Sequence, residues 1–256
     1  MTLIVGAFED ASVTITGDTK ITYDEDAIRT SRLFDEALPK IVLLRDDLAV
    51  GVAGEGPHRI IEDLVKVRDA DGSDVLDHLR VERDGDFIVG ALHPARIYQV
   101  SGGKITPVTE SEHAWVGDGS SYNSFRHLAE TWVPGDDEFT RLKTSMDSLV
   151  ARGRSQATVG GYALTVRTDA GRFRFVPTSF TIFGDTVDSF FDTYEGQVLP
   201  GDDPTPGALG IYMSRAGVGR LFTHERPFEG VKILAVDRAA FAARALNDYG
   251  QILLNW

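Results

Sequence analysis

The sequence predicts an α+β fold in which antiparallel strands and paired helices occupy separate layers. Three observations lead there. Short apolar runs come in hairpin-like pairs broken by acidic or glycine turns. Helical stretches come in pairs. The overall order is hairpin, hairpin, two helices, strands, two helices, hairpin. At 256 residues the chain is long enough for a full core, and 42% hydrophobic with 25% charged residues is the balance of a soluble globular protein.

The elements follow in order. Leu3-Ile4-Val5 opens a strand almost at the amino terminus, Glu9-Asp10 turns it, and Val13-Thr14-Ile15-Thr16 returns with the period-two alternation of a half-buried strand. Asp18 to Thr22 leads into a charged segment, Tyr23 to Ala37. Lys40–Leu44 and Leu48–Ala53 flank Asp46-Asp47 as a second hairpin, which Gly54-Glu55-Gly56-Pro57 ends. Ile60, Ile61, Leu64 and Val65 then recur at helical spacing, and Val75, Leu76 and Leu79 mark a shorter helix over Ser73 to Arg83. Strands return at Phe87–Leu92, Arg96–Val100 and Lys104–Val108, and His113–Val116 runs into Gly117-Asp118-Gly119-Ser120.

Two more helices are expected around Tyr122–Val133 and Asp137–Ala151, and a hairpin at Tyr162–Arg167 and Arg172–Val176, turned by Asp169-Ala170-Gly171. Beyond Pro177 the pattern loosens. Gly201 to Gly207 reads as a linker, Leu209–Met213 and Val231–Val236 as strands, and Asp237 as the N-cap of a closing helix to Tyr249. The division is a core over residues 2–177 and a C-terminal extension over 178–256. The extension's Phe180, Ile182, Phe183, Phe190, Phe191, Ile233, Leu234 and Phe241 are too apolar to stay in water, so it is expected to pack on the core or on a neighbouring subunit.

Composition narrows the function. A net charge of −13 argues against nucleic-acid and anionic-membrane partners, which would be repelled. No apolar stretch reaches the length of a membrane span, and the first apolar run is too short for a signal peptide. With no cysteine there is no disulfide framework, thiolate nucleophile or cysteine zinc site, which suits a cytoplasmic protein. Gly117-Asp118-Gly119 lacks the third glycine of a dinucleotide fingerprint, and the glycine in Asp69–Asp74 is misplaced for a calcium loop. The histidines show no metal-ligand spacing, and no serine sits in a Gly-x-Ser-x-Gly elbow. No cofactor or metal is expected.

Chemistry enters at the second residue. A threonine freed of its methionine carries a hydroxyl and an α-amine on adjacent carbons, and the amine, with an ordinary pKa near about 8, is a base for its own side chain. Threonine is small enough for that methionine removal to be expected. The order of landmarks around Thr2 resembles the proteasome β subunits and their bacterial relatives among the amino-terminal nucleophile hydrolases. Thr2 precedes an Ile-Val-Gly strand, and Asp18-Thr19-Lys20-Ile21-Thr22 matches the family's Asp-x-basic-x-Thr with Asp18 sixteen residues after Thr2. Lys40-Ile41 and the following Asp46 to Val50, then Ala53-Gly54, Val116 to Ser120 and Gly160-Gly161, match in sequence order.

The resemblance implies a four-layer α/β/β/α sandwich and a threonine-type peptidase or amidohydrolase. Thr2 would be the nucleophile, Lys40 the ammonium beside it, and Asp18 the partner of Lys40. The Gly54 N–H would face the oxyanion, and Asp118 and Ser120 would lie near the α-amine. Lys20 and Thr22 would face the substrate. The implied setting is a self-assembled homo-oligomeric ring acting on a peptide or protein, with an ATPase or adaptor left open. Three departures stand out. The interval from Asp18 to Lys40 is longer than the family norm, aspartate stands at 118 where the family has serine, and Gln156 replaces an aspartate. Two other functions stay open: an amidase or transpeptidase using the same Thr2 chemistry, and a non-catalytic scaffold subunit of the same fold.

Overall fold

A computed structural model describes residues 2–20, 38–110, 112–131, 137–152, 159–183 and 193–254. The charged segment from Tyr23 to Ala37, together with Thr22, Gln156, Phe190 and Phe191, lies outside the described residues. In chain order, β1 (Leu3–Glu9) and β2 (Ser12–Asp18) form the opening hairpin, and β3 (Ile41–Arg45) and β4 (Leu48–Gly54) the second. The helices α1 (Pro57–Lys66) and α2 (Gly72–Val81) follow. After them come β5 (Gly85–Leu92), β6 (Ala95–Ser101), β7 (Lys104–Val108) and β8 (Ala114–Gly117). The second helix pair is α3 (Gly119–Glu130) and α4 (Glu138–Arg152), followed by β9 (Ala163–Asp169) and β10 (Arg172–Phe175). The rest of the chain builds β11 (Thr178–Phe183), β12 (Thr193–Pro200), β13 (Leu209–Met213), β14 (Val218–Thr223), β15 (Arg226–Leu234) and α5 (Arg238–Tyr249).

Among the described residues these strands make three antiparallel sheets. The first runs β10-β9-β2-β1-β8, the second β3-β4-β5-β6-β7, and the third β11-β12-β13-β14-β15. Side-chain alternation along β1 decides what it touches. Ile4 points at the second sheet, where a Cβ on Gly51 would meet its Cγ2 at 2.6 Å, whereas Leu3, Val5 and Ala7 point the other way onto Phe125, Leu142, Met146 and Leu149 of α3 and α4. The two sheets therefore face each other across an apolar interior. Ile60 of α1 packs on the other face of the second sheet, on the side to which Gly85 and Phe87 point, and Ile61 and Leu64 of α1 with Val75 and Leu79 of α2 are buried with it.

The third sheet alternates in the same manner. Val198, Ile211 and Phe222 join the main interior, and Leu199, Tyr212 and Leu221 face Phe241 and Ala245 of α5. Asp237 caps α5, its carboxylate accepting from the Ala240 N–H at 2.7 Å.

Three differences from the sequence reading have physical causes. The helix expected from Tyr122 begins at Gly119, because the Asp118 carboxylate accepts from the Ser121 N–H at 2.9 Å and caps the turn Gly119-Ser120-Ser121. Gly201 to Gly207 is a pinned turn between β12 and β13 and not an interdomain linker. Arg174 pairs with Asp202 and Asp203 at 3.4 and 3.2 Å, and Thr205 exchanges hydrogen bonds with Ile252. Strands β11 and β12, which the sequence left patternless, exist. Val198, Leu199 and Pro200 at the end of β12 are consecutively buried, which masks its alternation, whereas β11 does alternate, with Ser179 and Thr181 exposed and Ile182 buried.

Candidate active site

Thr2 sits one residue ahead of β1, which is flanked by β2 and β8. Its carbonyl accepts from the Asp118 N–H at 2.7 Å. Close approach of β8 makes that possible: Gly117 has φ +104°, and a Cβ there would stand 1.9 Å from the Thr2 oxygen. Only glycine satisfies both demands. Thr2 is thus anchored by its backbone at the end of a central strand, and it is 4% exposed.

Asp18 closes β2. The register pairs Ile4 with Gly17, so the hairpin brings Asp18 beside Leu3 and Thr2. Its carboxylate is buried and accepts three backbone N–H groups, from Leu3 at 2.9 Å, Lys20 at 3.1 Å and Gly160 at 3.4 Å. Such donors fix the orientation of the carboxylate. Lys40 stands just before β3, with its carbonyl accepting from Val52 of β4 at 2.8 Å. The buried Lys40 Nζ lies 3.2 and 3.3 Å from the two Asp18 oxygens. It also donates to the Thr2 hydroxyl, which in turn donates to Asp18 Oδ1.

Burial holds the Lys40 ammonium below its ordinary pKa of 10.5; Asp18 opposes that through its charge and hydrogen bond, and the charge of Lys20 adds to it. The three side chains form a closed set. The hydroxyl contacts a cation that favours oxyanion character on Oγ, and the cation is itself held by a carboxylate with ordered donors. In a dry site such a charge acts on the hydroxyl far more strongly than in water.

The remaining residues singled out from the sequence fall in different places. Lys20 contributes its N–H to Asp18, and its aliphatic stem lies along Gly160, where a Cβ would be 3.0 Å from Lys20 Cδ. Asp118 touches Thr2 through its backbone N–H, while its carboxylate accepts from Ser120 Oγ at 2.7 Å and Ser121 Oγ at 2.6 Å as part of the α3 cap. Ser120 is therefore directed to that cap. Gly54 ends β4 opposite Gly85 with φ +153°, and a Cβ there would be 2.2 Å from the Asp84 carbonyl oxygen, so packing against β5 also demands glycine. Thr22 lies outside the described residues.

Sequence reasoning missed Thr19 and Tyr162. The Thr19 hydroxyl donates to the Tyr162 carbonyl at 2.9 Å and accepts from the Tyr162 N–H at 3.0 Å. Its carbonyl accepts from Leu38 at 2.9 Å, two residues before Lys40. Thr19 thereby joins the strand end that carries Asp18 to the segment that carries Lys40.

No protein-family model matches the sequence, and no curated protein sequence matches it. Among solved structures the chain is similar to eukaryotic HslV from Trypanosoma brucei, with 15% identity and a TM-score of 0.48 over 65% of this chain and 98% of that one. Among the described residues no helix is long and apolar enough to cross a membrane.

Proposed function

We propose that the protein is an amino-terminal threonine hydrolase that cleaves amide bonds, with Thr2 as nucleophile once Met1 has been removed. The observation that carries the reading is the Thr2 hydroxyl fixed between a buried lysine ammonium and its aspartate partner at the start of a central strand. The order of landmarks in the sequence points the same way. On this reading the two facing sheets and their helices form a four-layer α/β/β/α core of proteasome type. The protein is a threonine peptidase of the cytoplasm, working without cofactor in a ring of identical subunits, and residues 178–256 are an extension docked on that core.

The chemistry balances without an added group. The freed α-amine takes the Oγ proton as Oγ attacks the carbonyl carbon of the substrate. Lys40 stabilises the negative charge that builds on Oγ, and Asp18 keeps Lys40 in place. A donor such as the Gly54 N–H meets the oxyanion. Collapse expels the amine, which takes the proton back from the α-ammonium, and leaves an ester on Thr2. Water then attacks the ester with the α-amine again as base, releasing the acid and restoring Thr2. An external amine in place of water would give transpeptidation.

The test is turnover of a panel of fluorogenic peptide amides and simple amides, with the amino terminus of the active protein sequenced alongside. The reading expects Thr2 as the first residue, release of amine, and no release by Thr2→Ala. Full activity in a protein that retains Met1 quantitatively would rule out the α-amine mechanism.

A further inference from the structure

The Asp18–Lys40 pair is fixed by backbone, and the backbone that fixes it is itself pinned from the third sheet. Gly160 donates its N–H to Asp18 and its carbonyl accepts from the Lys20 N–H at 3.2 Å. Two residues on, Tyr162 clasps the Thr19 hydroxyl through both its N–H and its carbonyl. Residues 160–162 are thus laced to residues 18–20, and Thr19 carries the lacing to Leu38 and on toward Lys40.

The Tyr162 ring, 2% exposed, stacks on Phe180 of β11 with centroids 4.0 Å apart and planes 15° apart. Its hydroxyl is buried and finds no hydrogen-bond partner among the described residues, and burial pushes the phenol above its ordinary pKa. A buried hydroxyl without a partner is a cost to the fold, so what this position uses is the face of the ring. Phe180 in turn lies flat across Gly196 of β12. A Cβ on Gly196 would meet Phe180 Cζ at 2.3 Å and Met213 Sδ at 2.8 Å. Gly196, Phe180, Tyr162 and Thr19 form one file of contacts from the third sheet to the site, and packed interiors pass displacement along such files.

We propose that Tyr162 is a positioning residue through which the C-terminal sheet fixes the Asp18–Lys40 pair. Its consequence for turnover rests on the reading of Thr2 as the reactive group; its consequence for Lys40 does not. With the ring lost, residues 160–162 relax, Asp18 loses an ordered donor, and its contact with Lys40 loosens. The groups whose charge acts on Lys40 are Asp18, which holds its proton, and Lys20, which opposes it.

The experiment follows Lys40 by NMR of lysine labelled at the side-chain carbon and nitrogen, across pH, in the full-length protein. The rate of Thr2 acylation by a β-lactone is read in the same samples. In Tyr162→Ala and Phe180→Ala, Lys40 is expected to titrate at lower pH than in wild type. Acylation of the folded fraction should slow about ten- to hundredfold, with its alkaline limb moved down by the same interval. Tyr162→Phe, which keeps the ring face and drops the unpartnered hydroxyl, should return both readings to within about twofold of wild type.

Gly196→Ala tests the same file from its far end, and with Phe180→Ala it decides the matter if Tyr162→Ala does not fold. An unchanged Lys40 titration in the folded Phe180 and Gly196 variants would overturn the proposal. So would slowed acylation in proportion to unfolding with no movement of the pH limb. If wild type is not acylated at all, the Thr2 reading fails, while the Lys40 titration still decides the role of Tyr162.

Discussion

Residues 2–175 and residues 178–254 both fold as antiparallel sheet with helix packed against it, yet they bury different chemistry. In the first region Thr2, Asp18, Thr19 and Lys40 are buried together, and Thr14, Thr16, Ser121, Ser145 and Thr165 are buried elsewhere in it. In the second, the buried side chains among the described residues are apolar. Topology accounts for the contrast. The third sheet follows chain order, β11 to β15, so each strand pairs within it only with its sequence neighbours. The first sheet runs β10-β9-β2-β1-β8, which brings Thr2 and Gly160, 16 and 142 positions away, onto the Asp18 carboxylate, and the facing second sheet adds Lys40 from just before β3. Non-consecutive pairing in the first sheet gathers backbone donors from distant segments onto one side chain, which the meander of the third sheet does not do among the described residues.

The sharpest way to break this contrast is at Thr2. Thr2→Ala should abolish amide turnover in a protein that still folds, and Thr2→Ser should keep part of it, since serine retains hydroxyl and amine but loses the methyl that restricts the rotamer. Retention of turnover by Thr2→Ala would move the chemistry elsewhere.

Next come matched losses of stability in the two regions. Lys40→Ala leaves a buried Asp18 without its cation and should cost about 3–5 kcal/mol along with nearly all turnover. Phe241→Ala, deep under α5, should cost a similar amount, about 3–5 kcal/mol, and leave turnover per folded molecule near wild type. Denaturant melts with turnover normalised to folded protein separate the two. Lys20→Ala, whose side chain lies beside the site but does not hold Thr2, should change which peptides are cut more than whether they are cut.

A pH effect of middling size follows from Lys40. Its pKa in the fold is lowered from 10.5, so between the lowered value and 10.5 the unfolded chain binds the proton more than the folded one. Stability referred to Lys40→Met should therefore rise with pH across that window and flatten above it. Turnover should fall over the same window as the ammonium is lost. A falling stability difference there would mean that Asp18 outweighs burial.

The smallest effects are at helix caps. Asp118→Ala and Asp237→Ala remove equivalent caps in the two regions and should each cost about 1 kcal/mol. If the Asp118 carboxylate acts only as a cap, Asp118→Asn restores both stability and turnover. A turnover loss in Asp118→Asn without a stability loss would give that carboxylate a role at the α-amine.

Much of the first region was legible in the sequence, because its strands are compact apolar runs and its turns carry acidic or glycine signals. Thr2, Asp18 and Lys40 were legible because residue type and order single them out before any contact is known. Thr19 and Tyr162 were not, since they lie 143 positions apart and neither carries a distinctive chemistry alone. The true start of α3 was hidden because Asp118 was read for its charge and not as a cap. Strand β12 was hidden because its last residues are buried in succession, β11 because its one open face makes a short, largely polar run, and the turn after them looked like a linker because its ion pairs reach back to β10.

The central claim is that Thr2 is the reactive group of a buried Thr-Asp-Lys set, and mass spectrometry after treatment with a β-lactone tests it most directly. The account predicts a protein lacking Met1 that gains one lactone mass, mapped by fragmentation to Thr2. The adduct should be absent in Thr2→Ala and strongly reduced in Lys40→Ala. A full-mass chain with Met1 in place and no adduct, or an adduct that maps to another residue and survives Thr2→Ala, would contradict it.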